Sequence, residues 1–206
     1  MYGSSINGIN VDTRIRKKKE MKIFCIGRNY SDHAKEMNSP VPKQPMVFMK
    51  PPKNLHYEIE VVLRVCKNGR HVDKKFASNY YEEIGLGIDF TARDLQAQCK
   101  EKGHPWEIAK GFDGSACVSK FVSIDQYDAG NLNFSLKKNG ELVQQGNTKD
   151  QIFDYDTLII YLSKFFRLQI GDLIYTGTPA GVGPVAIGDV LEGSIEGKKM
   201  LSCEIK

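Results

Sequence analysis

Short runs of alternating or continuous apolar residues dominate the chain, and they predict strands more often than helices. Lys22 to Ile26 reads as a short buried strand, and Val47 to Met49 as another, closed by Lys50-Pro51-Pro52. His56 to Glu60 runs into Val61, Val62, Leu63 and Val65, which predicts one continuous strand. Alternation then places His56, Glu58 and Glu60 on one face and Tyr57, Ile59 and Val61 on the other. Asn68-Gly69 signals a hairpin. Ile84 to Phe90 is a further strand, with Gly85 and Gly87 permitting close backbone approach and Asp89 at its end. Leu132 to Lys137 and Glu141 to Gln145 flank Asn139-Gly140 as the clearest hairpin. Two turns of the same form, Ile170-Gly171-Asp172 and Ile187-Gly188-Asp189, each lead into a strand, and Glu196-Gly197 joins the last two.

Helical signals are fewer. Ser31-Asp32 can cap a brief helix from His33 to Met37, which Pro40, Pro42 and Pro45 forbid from continuing. Thr91 can cap one from Ala92 to Lys102, stopped by Gly103 and Pro105. Leu158, Ile159, Leu162, Phe165 and Phe166 follow helical spacing, with Asp154 and Asp156 in the first turn and Arg167 in the last, and this apolar face reads as core. Helices do not alternate with strands as parallel βαβ units require, so the expected class is a mainly antiparallel, β-rich α+β fold.

At 206 residues, with 41% hydrophobic and 26% charged positions, one sizeable core is expected. Five bases between Arg14 and Lys19 against Asp12 and Glu20 place +3 of the net +4 in residues 1–20. That segment reads as a basic, poorly ordered extension, and residues 21–206 as a single catalytic domain. Only +1 is left for the domain, so no nucleic-acid partner is expected. No apolar run approaches the ~20 residues of a membrane span, so no membrane partner is expected. The five cysteines are scattered and never form C-x-x-C, which argues against a disulfide framework or zinc site and fits a reducing, cytoplasmic setting.

Chemistry concentrates in few places. Glu58 and Glu60 on one strand face repel each other unless a proton or a cation lies between them, although a solvated strand face would carry both without cost. Asp89, ending a separate strand, makes an all-oxygen site possible, the kind that hard cations such as Mg²⁺ prefer. His56 could be a fourth ligand or a hydrogen-bonding neighbour. His33 and Glu36 share one side of a helical turn, the orienter-and-base pair that activates water, or an ordinary surface pair. Gly177-Thr178-Pro179 with Gly181 and Gly183 offers backbone N–H groups and a hydroxyl to a carboxylate or phosphate, or is an ordinary glycine-rich turn.

Taken in order, Gly27-Arg28-Asn29-Tyr30 with His33 and Glu36, Phe48-Met49-Lys50-Pro51, His56-Tyr57-Glu58-Ile59-Glu60, Asp89-Phe90-Thr91-Ala92-Arg93-Asp94, Trp106-Glu107-Ile108-Ala109-Lys110 and Thr176-Gly177-Thr178-Pro179 resemble the fumarylacetoacetate hydrolase family. The likeness is to its short acylpyruvase and oxaloacetate decarboxylase branch. It implies a mixed β-sandwich roll, a homodimer, and Mg²⁺ or Mn²⁺ held by Glu58, Glu60 and Asp89. It also implies His33 and Glu36 as a water-activating dyad on a lid, Lys110 as a catalytic cation, and Arg28, Gln96 and Thr178 as substrate contacts. Three carboxylates and a dication leave about −1, which a keto carboxylate tolerates only beside cations such as Lys110 and Arg28. The connection to the H-x-E-x-E strand, Pro52-Lys53-Asn54-Leu55, is shorter than the family's, which would cost the pocket a wall or mark residues missing from the sequence. The expected activity is cleavage of the C–C bond next to a pyruvoyl group, as acylpyruvate hydrolysis through a metal-stabilised enolate. Oxaloacetate decarboxylation, or an isomerase or hydratase acting on a related keto acid, is the alternative. A metal- or nucleic-acid-binding protein is the non-enzymatic rival.

Overall fold

Strand pairing in the computed structural model follows the apolar runs. The structure describes residues 54–206 and, upstream, the backbone of β1 (Phe24–Gly27) and β2 (Met46–Met49). These two pair antiparallel, Phe24 opposite Met49, inside a unit spanning Met1–Pro51. The second unit, Pro52–Lys206, carries every other element described. Its strands are β3 (Leu55–Tyr57), β4 (Ile59–Val65), β5 (Tyr81–Asp89), β6 (Thr91–Ala92), β7 (Ala116–Val118), β8 (Val122–Ser123), β9 (Asn133–Lys138), β10 (Glu141–Asn147), β11 (Leu173–Tyr175), β12 (Gly183–Pro184), β13 (Val190–Ile195) and β14 (Lys198–Glu204). Its helices are α1 (Arg93–Glu101), α2 (Glu107–Lys110) and α3 (Tyr155–Phe165).

Pairing is antiparallel throughout these sheets. One runs β11-β4-β5-β7 with β8 also on β5, a second β10-β9-β13-β14, and a third β12-β3-β6. Alternation explains why the first two share a core: Ile59, Val61, Leu63 and Val65 face Ile84, Leu86 and Ile88 across the ladder, and they meet Phe134, Leu136, Leu191 and Ile195 of the second sheet. Each such side chain, removed fully from water, contributes ~1.5–3 kcal/mol. The outcome is the expected β-rich α+β class, with curled sheets closing on one core as in a sandwich roll. No helix among the described residues is long and apolar enough to cross a membrane.

Local chemistry decides several turns. Asn139 and Gly140 both take positive φ, as a two-residue hairpin requires. The two Gly-Asp turns repeat one device, since Asp172 accepts from Gln169 N–H and Asp189 from Ala186 N–H, each at 2.8 Å. Gly87 leaves room for the ring of Tyr175, whose Cε1 would stand 2.4 Å from any Cβ there.

Four expectations change. The strand predicted through His56 to Val65 breaks at Glu58, so β3 and β4 join different sheets. Asn68-Gly69 is not a hairpin turn: Gly69 bridges to Leu168, Asn68 Oδ1 accepts from Ile170 N–H, and Gly69 serves the close approach of Tyr80. Thr91 does not cap α1. It lies in β6 and its hydroxyl turns back to the Asp89 carbonyl, while Arg93 N–H, the helix's first, bonds the Asn54 carbonyl. On α3 the buried residues are Tyr155, Ile159 and Ser163, whereas Phe165 and Phe166 are 57% and 62% exposed. The predicted apolar face turned only partly inward because Ser163, tied to Val72 N–H and the Ile160 carbonyl, takes the inner position.

Candidate active site

Register alone brings three carboxylates together. Ile59 pairs with Ile88 and Glu60 with Gly87, so Glu58, one residue earlier, lies across from Asp89, whose N–H bonds the Glu58 carbonyl at 2.9 Å. Directly opposed and alternate residues share a sheet face, hence Glu58, Glu60 and Asp89 converge, with one carboxylate oxygen from each within 4.8 Å of the others. Glu58 and Glu60 are 8% and 4% exposed, which removes the solvated-strand reading.

Two cations reach this face from the helices. Lys110, at the end of α2, bonds Glu58 Oε2 at 2.8 Å and Asp89 Oδ2 at 2.5 Å. Arg93, the first residue of α1, bonds Glu58 Oε1 at 2.5 Å and Gln96 Oε1 at 2.8 Å. Burial pushes Glu58 upward, but Lys110 and then Arg93 outweigh it and hold this carboxyl below its ordinary value. Burial likewise works against the Lys110 ammonium, yet Asp89 and Glu58 raise its pKa, so it stays charged. Burial raises Asp89 despite Lys110. Glu60 differs, because its described bond is to a neutral donor, Gly177 N–H at 2.6 Å. Burial first, and then Asp89 and Glu58, push it up to about 7.

The donor set fits a divalent metal. All three side chains offer hard oxygen ligands, the Lys110 ammonium already occupies a position between two of them, and Glu60 lacks a cation of its own among the described residues. His56 is not part of the cluster. Its Nε2 bonds Asn54 Oδ1 at 3.0 Å, its Nδ1 is buried without a partner, and burial with Arg93 lowers its pKa.

Of the other predicted residues, Gln96 is buried on α1 beside Arg93, and Thr178 lies next to the Gly177 that holds Glu60. The Gly177–Gly183 loop is less open than expected, since Gly177 N–H serves Glu60 and Gly183 is paired in β12 with Tyr57. Arg28, His33 and Glu36 lie outside the described residues. Arg93 was missed as a site residue although its motif was recognised; the signal was its position four after Asp89 at a helix start. Gln144, which accepts from Ile59 N–H and donates to Thr178 Oγ1, was not singled out either, since a glutamine in a hairpin strand gives no local signal. A depression of about 470 Å³ lined by Pro105, Trp106, Glu107 and Lys110 borders the cluster, whereas a larger one of about 680 Å³ around Cys66 and Tyr127 includes none of these carboxylates.

Comparison with known proteins places the chain in a family. The family profile described as fumarylacetoacetate (FAA) hydrolase C-terminal matches residues 22–206. The mitochondrial oxaloacetate tautomerase FAHD1 of Bos taurus is 42% identical over 201 residues, 89% of this chain and 90% of that protein. The mitochondrial oxaloacetate decarboxylase of Dictyostelium discoideum is 38% identical over 194 residues, 85% of this chain and 89% of its own. The crystal structure of fumarylpyruvate hydrolase from Pseudomonas aeruginosa in complex with Mn²⁺ and pyruvate superposes with a TM-score of 0.70 at 35% identity, covering 90% of this chain and 89% of that one. These relatives overturn the cytoplasmic expectation, for they are mitochondrial by name. Scattered cysteines do not single out one compartment. The chain belongs to the fumarylacetoacetate hydrolase family, in the short branch that includes the oxaloacetate tautomerases and decarboxylases.

Proposed function

We propose that residues 21–206 act as one catalytic domain that interconverts the enol and keto forms of oxaloacetate with a divalent metal, Mg²⁺ or Mn²⁺, held by Glu58, Glu60 and Asp89. The observation that carries this is the buried carboxylate cluster with Lys110 and Arg93 on its edge. When bound, the dication would act as a Lewis acid toward the substrate's keto oxygen. The chain supplies charge and proton transfer. Lys110 Nζ and Arg93 attract a dianionic substrate, Gln96, Thr178 and Arg28 orient its carboxylates, and His33, aligned by Glu36, takes the proton from C3. Lys110, charged at neutral pH, gives a proton to the enolate oxygen as His33 takes the one on C3; in the reverse sense Lys110 recovers the oxygen's proton and protonated His33 returns its own to C3.

Identity to the tautomerase FAHD1 ranks this above acylpyruvate hydrolysis, which needs water as well. Decarboxylation is the second reading, supported by the Dictyostelium relative. Decay of the oxaloacetate enol absorbance, pyruvate release from oxaloacetate and pyruvate release from acylpyruvates should be followed in parallel with Mn²⁺, Mg²⁺ and chelator. Metal-dependent enol decay well ahead of pyruvate release is expected. Pyruvate from oxaloacetate at an equal rate would make the enzyme a decarboxylase, and full activity in chelator would remove the metal.

A further inference from the structure

Gln144 is a polar side chain where the sheet pattern calls for an apolar one. A bulge between Leu142 and Gln144 in β10 sets it opposite the buried Leu136, and it is 2% exposed. All of its amide is used. Oε1 accepts from Ile59 N–H at 2.9 Å, and Nε2 donates to the Pro179 carbonyl at 2.9 Å and to Thr178 Oγ1 at 3.0 Å. The amide cannot be turned over. Ile59 N–H can only donate and the Pro179 carbonyl can only accept, so oxygen must face the first and nitrogen the second.

A consequence follows for Thr178. A hydroxyl has one hydrogen to give and lone pairs to receive. Gln144 fills a lone pair, which turns the Thr178 hydrogen away from the amide, and among the described residues that hydroxyl donates to nothing. The adjacent Gly177 N–H bonds Glu60, so the loop that carries Thr178 borders the carboxylate cluster. Close packing holds the loop there: a Cβ at Gly181 would stand 2.4 Å from the Val143 carbonyl, and one at Gly146 3.0 Å from Pro179.

We infer that Gln144 is a positioning residue that fixes the Thr178 hydroxyl as a hydrogen-bond donor aimed at a carboxylate of the substrate, an inference that rests on the reading of Thr178 as a substrate contact. Without it the hydroxyl could equally present a lone pair, which repels an anion. Gln144→Glu tests this, because the carboxylate keeps an acceptor for Ile59 N–H while converting the donor facing Thr178 into an acceptor.

Oxalate is the probe, its binding to the full-length, Mn²⁺-loaded protein measured by calorimetry alongside Mn²⁺ binding itself. Gln144→Glu should weaken oxalate about tenfold, the usual cost of losing a hydrogen bond to a charged group, with Mn²⁺ affinity kept within about twofold. Thr178→Val should weaken oxalate comparably and Thr178→Ser should not. Added to Thr178→Val, Gln144→Glu should cost no more than about twofold. An undiminished tenfold loss in that background overturns the inference while leaving Thr178 as a contact, since the new charge would then act without the hydroxyl. Oxalate affinity unchanged by Thr178→Val overturns both the inference and the reading it rests on. A loss of Mn²⁺ binding equal to that of oxalate assigns Gln144 to scaffolding of β4 and also overturns it. Should Gln144→Glu fail to fold, Gln144→Met removes the donor without adding charge and enters the same cycle with the same criteria.

Discussion

Glu60 and Lys110 carry the site's electrostatics in opposite ways. Glu60 ordinarily titrates at 4.5, whereas in the folded chain burial and its acidic neighbours move it to about 7. Between those values the folded state holds a proton that the unfolded state has lost, so rising pH favours unfolding. Metal-free protein should therefore lose up to about 3 kcal/mol from this group between pH 4.5 and 7, and Glu60→Gln should flatten that slope in thermal melts. An unchanged slope in the variant would show that Glu60 is not the titrating group. Lys110 bridges Glu58 and Asp89, and it competes with a metal for both. Lys110→Met should bind Mn²⁺ at least as tightly as the parent, yet turn oxaloacetate over at least ~100-fold more slowly. Weaker Mn²⁺ binding would mean that Lys110 supports the cluster rather than the substrate.

At the scale of elements, β4 and β5 are the frame that the chemistry hangs on. Their register sets Glu58 across from Asp89, and Gly87, opposite Glu60, admits the ring of Tyr175 from β11. Tyr175 in turn donates to the Cys117 carbonyl at 3.0 Å, linking β11 to β7 across β4 and β5. Gly87→Ala should destabilise the protein by ~1–3 kcal/mol through overpacking, and Tyr175→Leu in the same chain should recover part of that loss in denaturant melts. Additive losses would mean that the clash at Gly87 is with something other than the ring. The α3 start is a smaller, local device: Asp154, expected within the first turn, is instead the residue before it and caps the helix by accepting from Thr157 N–H at 2.8 Å.

For the whole molecule, metal and fold are linked. Converging carboxylates repel one another, so a dication that binds only the folded state should raise the melting temperature. The gain is ~2.7 kcal/mol at a hundredfold excess over its dissociation constant, and it should vanish in Glu58→Ala, Glu60→Ala and Asp89→Ala. A parent protein indifferent to Mn²⁺ in such melts would refute the metal assignment. The homodimer implied by family resemblance is open to light scattering, where twice the chain mass is expected. The exposed rings of Tyr161 and Phe165 on α3 and of Phe166 just after it, with Tyr161 and Phe165 edge to face at 5.3 Å, are apolar surface of the kind an interface covers.

The sequence by itself determined whatever depends on neighbours along the chain. Period-two apolar runs placed the strands, Asn139-Gly140 and the two Gly-Asp turns specified their own geometry, and an alternation of two set Glu58 and Glu60 on one face. Six ordered motifs identified the family, and the resemblance put forward Glu58, Glu60 and Asp89 as candidate ligands. Tertiary structure decided the rest. Asn68-Gly69 carries the same hairpin signal as Asn139-Gly140, but pairing with Leu168 and the ring of Tyr80 override it, because local turn preferences are small beside long-range packing. The break at Glu58 comes from two sheets competing for one segment, which no residue type announces. Gln144 reaches Ile59 across 85 residues and Lys110 reaches Glu58 across 52. A polar side chain gains its role only when a distant backbone group or charge arrives to meet it, and which one arrives is settled by the register of the folded sheets.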